Sequence, residues 1–117
     1  TSNESEAVKY FANCFLAVKV MFFNEMYSLC EKMELDFKHI THAVIADKRI
    51  GSSHYKVPND GDYGFGGTCF PKDINALMNT MREEGIDPLI LEATWEQNIK
   101  MRQNWDWAEH TSAVLLK

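Results

Sequence analysis

The chain has 117 residues, 45% of them hydrophobic and 25% charged, and a net charge of −5. That length suits one domain with a modest core, and the composition is that of a globular protein. The acidic balance argues against a nucleic-acid partner, which asks for a basic stripe; the longest apolar run, Val20 to Phe23, is far too short for the roughly 20 residues of a membrane span.

The three cysteines, Cys14, Cys30 and Cys69, are odd in number and widely spaced. They form no disulfide framework and fit a reducing, cytoplasmic compartment. The opening TSNESEAVKY is polar, unlike a signal peptide, and lacks an initiator methionine, so we expect a piece of a longer protein.

Four helical segments follow in chain order, and no strand pattern or repeat interrupts them, so the expected fold is all-α. The first runs from about Glu4 to Met33, with Asn3 and Glu6 as a capping box and Ser2 with Ser5 as a competing start. Val8, Phe11, Ala12, Phe15, Leu16, Phe22, Met26 and Leu29 recur at helical spacing. So few other elements cannot cover so long a helix, which is expected to pack on a second chain or another domain. A second helix is predicted from Phe37 to Asp47 behind an Asp36 N-cap. The segment from Arg49 to Thr68, rich in Gly, Asp and Asn, is a long loop, of the kind that is functional or disordered. A third helix is predicted from Pro71 to Gly85, and a fourth from Asp87-Pro88 to about His110.

The richest chemistry lies in Gly64-Phe65-Gly66-Gly67-Thr68-Cys69-Phe70-Pro71-Lys72-Asp73. A glycine loop delivers a cysteine to a helix start, where unpaired N–H groups and a nearby lysine favour thiolate. Asp73 falls one turn later, within reach of a water or proton near the sulfur. On these grounds alone a reactive and a packing role stand level for Cys69, because lone cysteines often act as small hydrophobes. Cys14 and Cys30, on the long helix, are assigned to packing.

The glycines are not a dinucleotide fingerprint, since the third glycine position holds Cys69 and no strand precedes them. Lys9 and Asn13 share a helix face and together suit an oxyanion or sugar hydroxyl, though alone the pair reads as surface residues. Arg49 ends the second helix, where it answers the helix dipole or forks onto an anion. His39 and His42 lack further ligands at metal spacing, so no metal is expected. Trp95, Trp105 and Trp107 are expected to contact parts of the protein outside this chain.

Three stretches together resemble the UDP-glucose/GDP-mannose dehydrogenase family. Glu6 to Ala17 resembles the first helix of its central domain, Asp47 to Gly51 its D-x-R-I-G segment, and Gly64 to Asp73 its G-[FY]-G-G-x-C-x-P-K-D signature. The resemblance implies that residues 1–117 form the all-α central catalytic and dimerisation domain, like the C-terminal domain of 6-phosphogluconate dehydrogenase, with NAD-binding and UDP-binding α/β domains flanking it elsewhere. It implies oxidation of a nucleotide sugar's primary alcohol to the acid with NAD, through a thiohemiacetal and a thioester on Cys69. Lys9 and Asn13 then stabilise the charged oxygen and bind substrate, Asp73 handles water or a proton, and Lys72 lies near the cofactor. Tyr55, Phe65 and Gly66 contact the sugar nucleotide as the glycine loop closes over it, and Arg49 reaches the substrate of a homodimer partner. UDP-glucose is the expected substrate from Phe70-Pro71-Lys72-Asp73, with GDP-mannose the nearest competitor. The loop Ser52 to Tyr63 departs from the family by an insertion near Asn59 to Asp62. Two rival readings remain: a helical dimerisation module with an inert Cys69, and a cysteine hydrolase, which needs a histidine such as His54 as base.

Overall fold

A computed structural model describes residues 2–109. They form four α-helices and one 3₁₀ turn, with no strand among the described residues: α1 Ser2–Met33, α2 Phe37–Ile45, α3 Cys69–Glu83, α4 Leu89–Met101 and the turn Asp106–Glu109. The all-α expectation therefore holds. At 1.5 Å per residue, the 32 residues of α1 make a rod of about 48 Å, against which α2, α3 and α4 all pack.

Local chemistry sets most helix ends. α1 is under way at Ser2, so Asn3 lies within the first turn instead of capping it; the competing Ser2 cap rests on a side chain outside the described set. The Asp36 carboxylate accepts the His39 N–H at 3.1 Å and starts α2 as expected. α3 starts at Cys69, two residues before the expected Pro71. It stops at Gly85, whose φ of +78° lets the Ile86 N–H fold back onto the Met81 carbonyl at 2.8 Å.

The last helix departs from expectation. It ends at Met101, and His110 lies outside the described residues. The cause is distant in sequence: the Asp62 carboxylate accepts the N–H groups of Gln103 and Asn104 at 3.0 and 2.8 Å, taking donors that a continuing helix would use.

Two apolar clusters share α1. The larger joins Cys14, Ala17 and Met21 to Phe65 of the loop, Ile74 and Met78 of α3, and Trp95 and Trp107. The smaller joins Phe23 and Cys30 to Phe37 of α2 and Val57. Trp95 and Trp107 are thus core residues of this chain, contrary to expectation; among the three tryptophans only Trp105 is exposed, stacked on Trp107 at 5.9 Å. The opposite face of α1 stays bare. Val8, Phe11, Phe15, Phe22, Leu29 and Met33 are 49 to 68% exposed and fall at i, i+3, i+7, i+14, i+21 and i+25, a single stripe. The periodic set read from the sequence is therefore mainly this uncovered stripe, while smaller or adjacent residues make the core.

A candidate active site at the start of α3

Cys69 is the first residue of α3 and is exposed, whereas Cys14 and Cys30 are buried. Burial, and then the Asp73 carboxylate nearby, push the Cys14 thiol up to about 11, so it is inert near neutral pH. One turn beyond Cys69, Asp73 is 1% exposed. Its Oδ2 accepts a hydrogen bond from Asn13 Nδ2 at 2.7 Å, its Oδ1 lies 3.7 Å from the half-exposed Lys72 Nζ, and that Oδ1 has no hydrogen-bond partner. A buried carboxylate oxygen without a hydrogen-bond partner is unusual, and the Lys72 ammonium is the cation that answers its charge. Lys9 is exposed one turn before Asn13 on α1. The fold thus brings Asn13, Lys72 and Asp73 together beside Cys69, from two helices 60 positions apart.

The glycine loop leading to Cys69 is fixed, not loose. Gly64 N–H donates to Asn24 Oδ1 at 2.9 Å, and Phe65 N–H to Asn98 Oδ1 at 2.7 Å; Asn98 Nδ2 returns a bond to the Phe65 carbonyl at 3.0 Å. Gly67 N–H donates to Asp106 Oδ1 at 2.8 Å. Glycine is demanded here by close approach as much as by conformation. A Cβ at Gly64 would collide with the Asn98 amide, and one at Gly66 would lie 2.6 Å from both Arg102 Cζ and Asp106 Oδ1. Sequence reasoning missed Asn24, Asn98, Arg102 and Asp106. The available signal was Asn24, an amide directly after the apolar run Val20 to Phe23, where a buried amide must find partners; nothing in the polar surroundings of Asn98 marks it.

Beside the loop opens a cleft of about 640 Å³, walled by Gly64 to Gly67, Phe70, Tyr55 and His54. It therefore gathers the predicted Tyr55, Phe65 and Gly66. His54 adopts φ +60° and packs its ring 5.8 Å from that of Phe70, its Nδ1 2.8 Å from Ser53 Oγ. Residues 59–62 form a tight turn: Asp60 and Gly61 have φ of 52° and 78°, and Asn59 and Asp62 exchange both backbone bonds. That turn aims Asp62 inward.

Arg49 is not part of this cluster. It is 88% exposed and forks onto Asp47, with Nη2 to Oδ2 at 2.6 Å. Its segment is tied to α1 by Lys19 Nζ, which donates to the Ile50 carbonyl at 2.7 Å. Lys19 follows Phe15 by four residues and precedes Phe22 by three, so this anchor lies beside the bare stripe. His39 and His42 are exposed on α2, and among the described residues no three metal-ligating side chains converge.

Residues 3–100 match the model of the UDP-glucose/GDP-mannose dehydrogenase family, central domain. Over 94 residues the chain is 47% identical to UDP-glucose 6-dehydrogenase of Rickettsia bellii, an overlap covering 80% of this chain and 21% of that protein. It is 39% identical over 100 residues to UDP-glucose 6-dehydrogenase of Pseudomonas aeruginosa, covering 86% and 21% respectively. Among solved structures it is similar to a UDP-glucose dehydrogenase from the hyperthermophilic archaeon Pyrobaculum islandicum, with 37% identity and a TM-score of 0.74 over 83% of this chain and 22% of that one. The chain spans about a fifth of the length of these relatives.

Proposed function

The chain belongs to the UDP-glucose/GDP-mannose dehydrogenase family as its central domain, and from that premise we propose that it is the thiol-bearing, dimerising domain of an NAD-dependent enzyme oxidising UDP-glucose to the uronic acid. The observation that carries this is the Asn13–Asp73 bond. It ties the face of α1 that carries Lys9 and Asn13 to Asp73 in α3, the helix that the exposed Cys69 begins.

Cys69 Sγ, as thiolate, adds to the aldehyde carbon formed in the first oxidation, and the carbonyl oxygen takes up the negative charge. Lys9 and the Asn13 amide stabilise that oxyanion. After the second oxidation leaves a thioester, water adds to its carbonyl, the C–S bond breaks, and the thiolate leaves. Asp73 Oδ1 holds that water and receives its proton. When bound, NAD would supply the hydride acceptor for both oxidations. The described residues include no strand and no strand–glycine–helix unit to hold a dinucleotide, so we place NAD on a domain outside this chain, with Lys72 alone reaching toward it. The UDP-glucose assignment rests on the relatives' names and on Phe70-Pro71-Lys72-Asp73; the nucleotide occupies the cleft beside Tyr55 and Phe65. The three unpaired cysteines suit the cytoplasm.

The bare α1 stripe supports homodimerisation, and the Lys19 anchor beside it would carry Arg49 across to the partner's substrate. The same stripe also supports the plainer reading of an assembly module with an inert Cys69. The test is kinetic: in the complete dehydrogenase, Cys69→Ser is expected to lower acid formation at least about a thousandfold, the scale of losing a covalent nucleophile. Unchanged turnover would leave only the assembly role.

A further inference from the structure

The geometry points to Arg102 as a positioning residue that sets the glycine loop, and through it the placement of Cys69. Arg102 and its partner Asp106 lie beyond the residues 3–100 that match the family model. Arg102 caps the end of α4, with its side chain 12% exposed. Its guanidinium reaches four places at once. Nε donates to the Asn104 carbonyl at 2.8 Å and lies 3.4 Å from Asp62 Oδ2. Nη1 donates to the Tyr63 carbonyl at 3.4 Å, and Nη2 to Asp106 Oδ2 at 3.5 Å.

These contacts grip the loop on both sides. Tyr63 enters it, and Asp106 holds the Gly67 N–H that leaves it, two residues before Cys69. Between them Gly66 lies directly against the guanidinium, where no side chain fits. The grip is itself braced, because Asp62 is fixed by the N–H groups of Tyr63, Gln103 and Asn104 at 2.7, 3.0 and 2.8 Å. An arginine flanked by two carboxylates has its charge already answered, so it is poorly suited to bind a phosphate from the cleft it borders. What remains is the rigid fork, which lysine cannot copy.

This role rests on the reading of Cys69 as nucleophile, and two measurements on the complete dehydrogenase separate them. Hydrogen exchange follows the Phe65 and Gly67 amides, and steady-state kinetics follows kcat and KM. Arg102→Lys is expected to speed Gly67 exchange at least about tenfold and to lower kcat by ten- to a hundredfold, the scale of a misplaced reacting group. The KM for UDP-glucose and the exchange of mid-α1 amides should change little. Asp106→Asn keeps an oxygen for the Gly67 N–H and is expected to retain slow exchange, whereas Asp106→Ala loses it; this pair decides the matter if Arg102→Lys fails to fold. Unaltered Gly67 exchange in both Arg102→Lys and Asp106→Ala overturns the proposal. So does a fall in kcat without loosening of the loop, which would mean that Arg102 touches substrate. If Cys69→Ser retains full kcat, the nucleophile reading fails, and the exchange data alone then decide whether the clamp exists.

Discussion

Gly64 and Gly61 share a positive φ but differ in surroundings, and that difference makes a test. A methyl at Gly64 meets the Asn98 amide that holds the loop, whereas Gly61 faces open space. Gly64→Ala is expected to cost about 3 kcal/mol, as an overpacked and strained core site does, and Gly61→Ala about 1 kcal/mol, for conformation alone; urea unfolding of the chain reads both. Asp62 gives the pH dependence. Burial by itself would raise its carboxyl, but the N–H groups of Gln103, Tyr63 and Asn104, with Arg102, outweigh it and hold Asp62 below the usual carboxylate range. A carboxyl held low in the folded state adds stability at pH above its unfolded value, near 4, and that stability is lost as pH falls through the folded value. The unfolding midpoint should therefore drop on acidification below about pH 4, and Asp62→Asn should flatten that limb. At this scale the sequence offered Cys69, Asn13 and Asp73 as candidates, because a recognisable motif and a family resemblance carry them, but not the Asn13–Asp73 bond that joins positions 60 apart. It did not show that Asp62, Asn98 and Arg102 serve the glycine loop. Their partners are mostly backbone groups some 33 to 42 positions away, and no local pattern encodes them.

At the scale of the element, α1 carries two functions on two faces. One buries Cys14, Ala17, Met21, Phe23 and Cys30, and the other presents the apolar stripe. Because Phe15 and Phe22 are 66 and 55% exposed, Phe15→Glu and Phe22→Glu are expected to change the stability of the single chain by less than about 0.5 kcal/mol. If the stripe is the dimer seam, each change should weaken self-association at least about thirtyfold, as loss of a buried aromatic anchor does. Light scattering across a concentration series, beside thermal melts, reads the two effects apart. A dimer that persists in both variants would place the contact elsewhere. Helix starts and stops were legible where one residue decides them, as at Asp36 and Gly85. The end of α4 was not, because periodicity continues toward His110 while Asp62, far upstream, removes the donors that would extend it.

For the whole molecule, the long segment between α2 and α3 looked like a loose loop that closes on a ligand. Its last part, Gly64 to Gly67, is held from beneath by side chains of α1, α4 and the turn after α4, which fixes that wall of the cleft two residues before Cys69. Such preorganisation is what a nucleophile needs in order to meet a carbonyl at a fixed angle. The measurement that bears most directly on this account is alkylation of the complete dehydrogenase by iodoacetamide near neutral pH, with each cysteine peptide quantified by mass spectrometry, in the presence and absence of UDP-glucose. Cys69 is expected to be modified while Cys14 and Cys30 are spared, and UDP-glucose is expected to slow the modification. Equal, sluggish labelling of all three cysteines, or labelling of Cys69 that the nucleotide does not slow, would contradict the account.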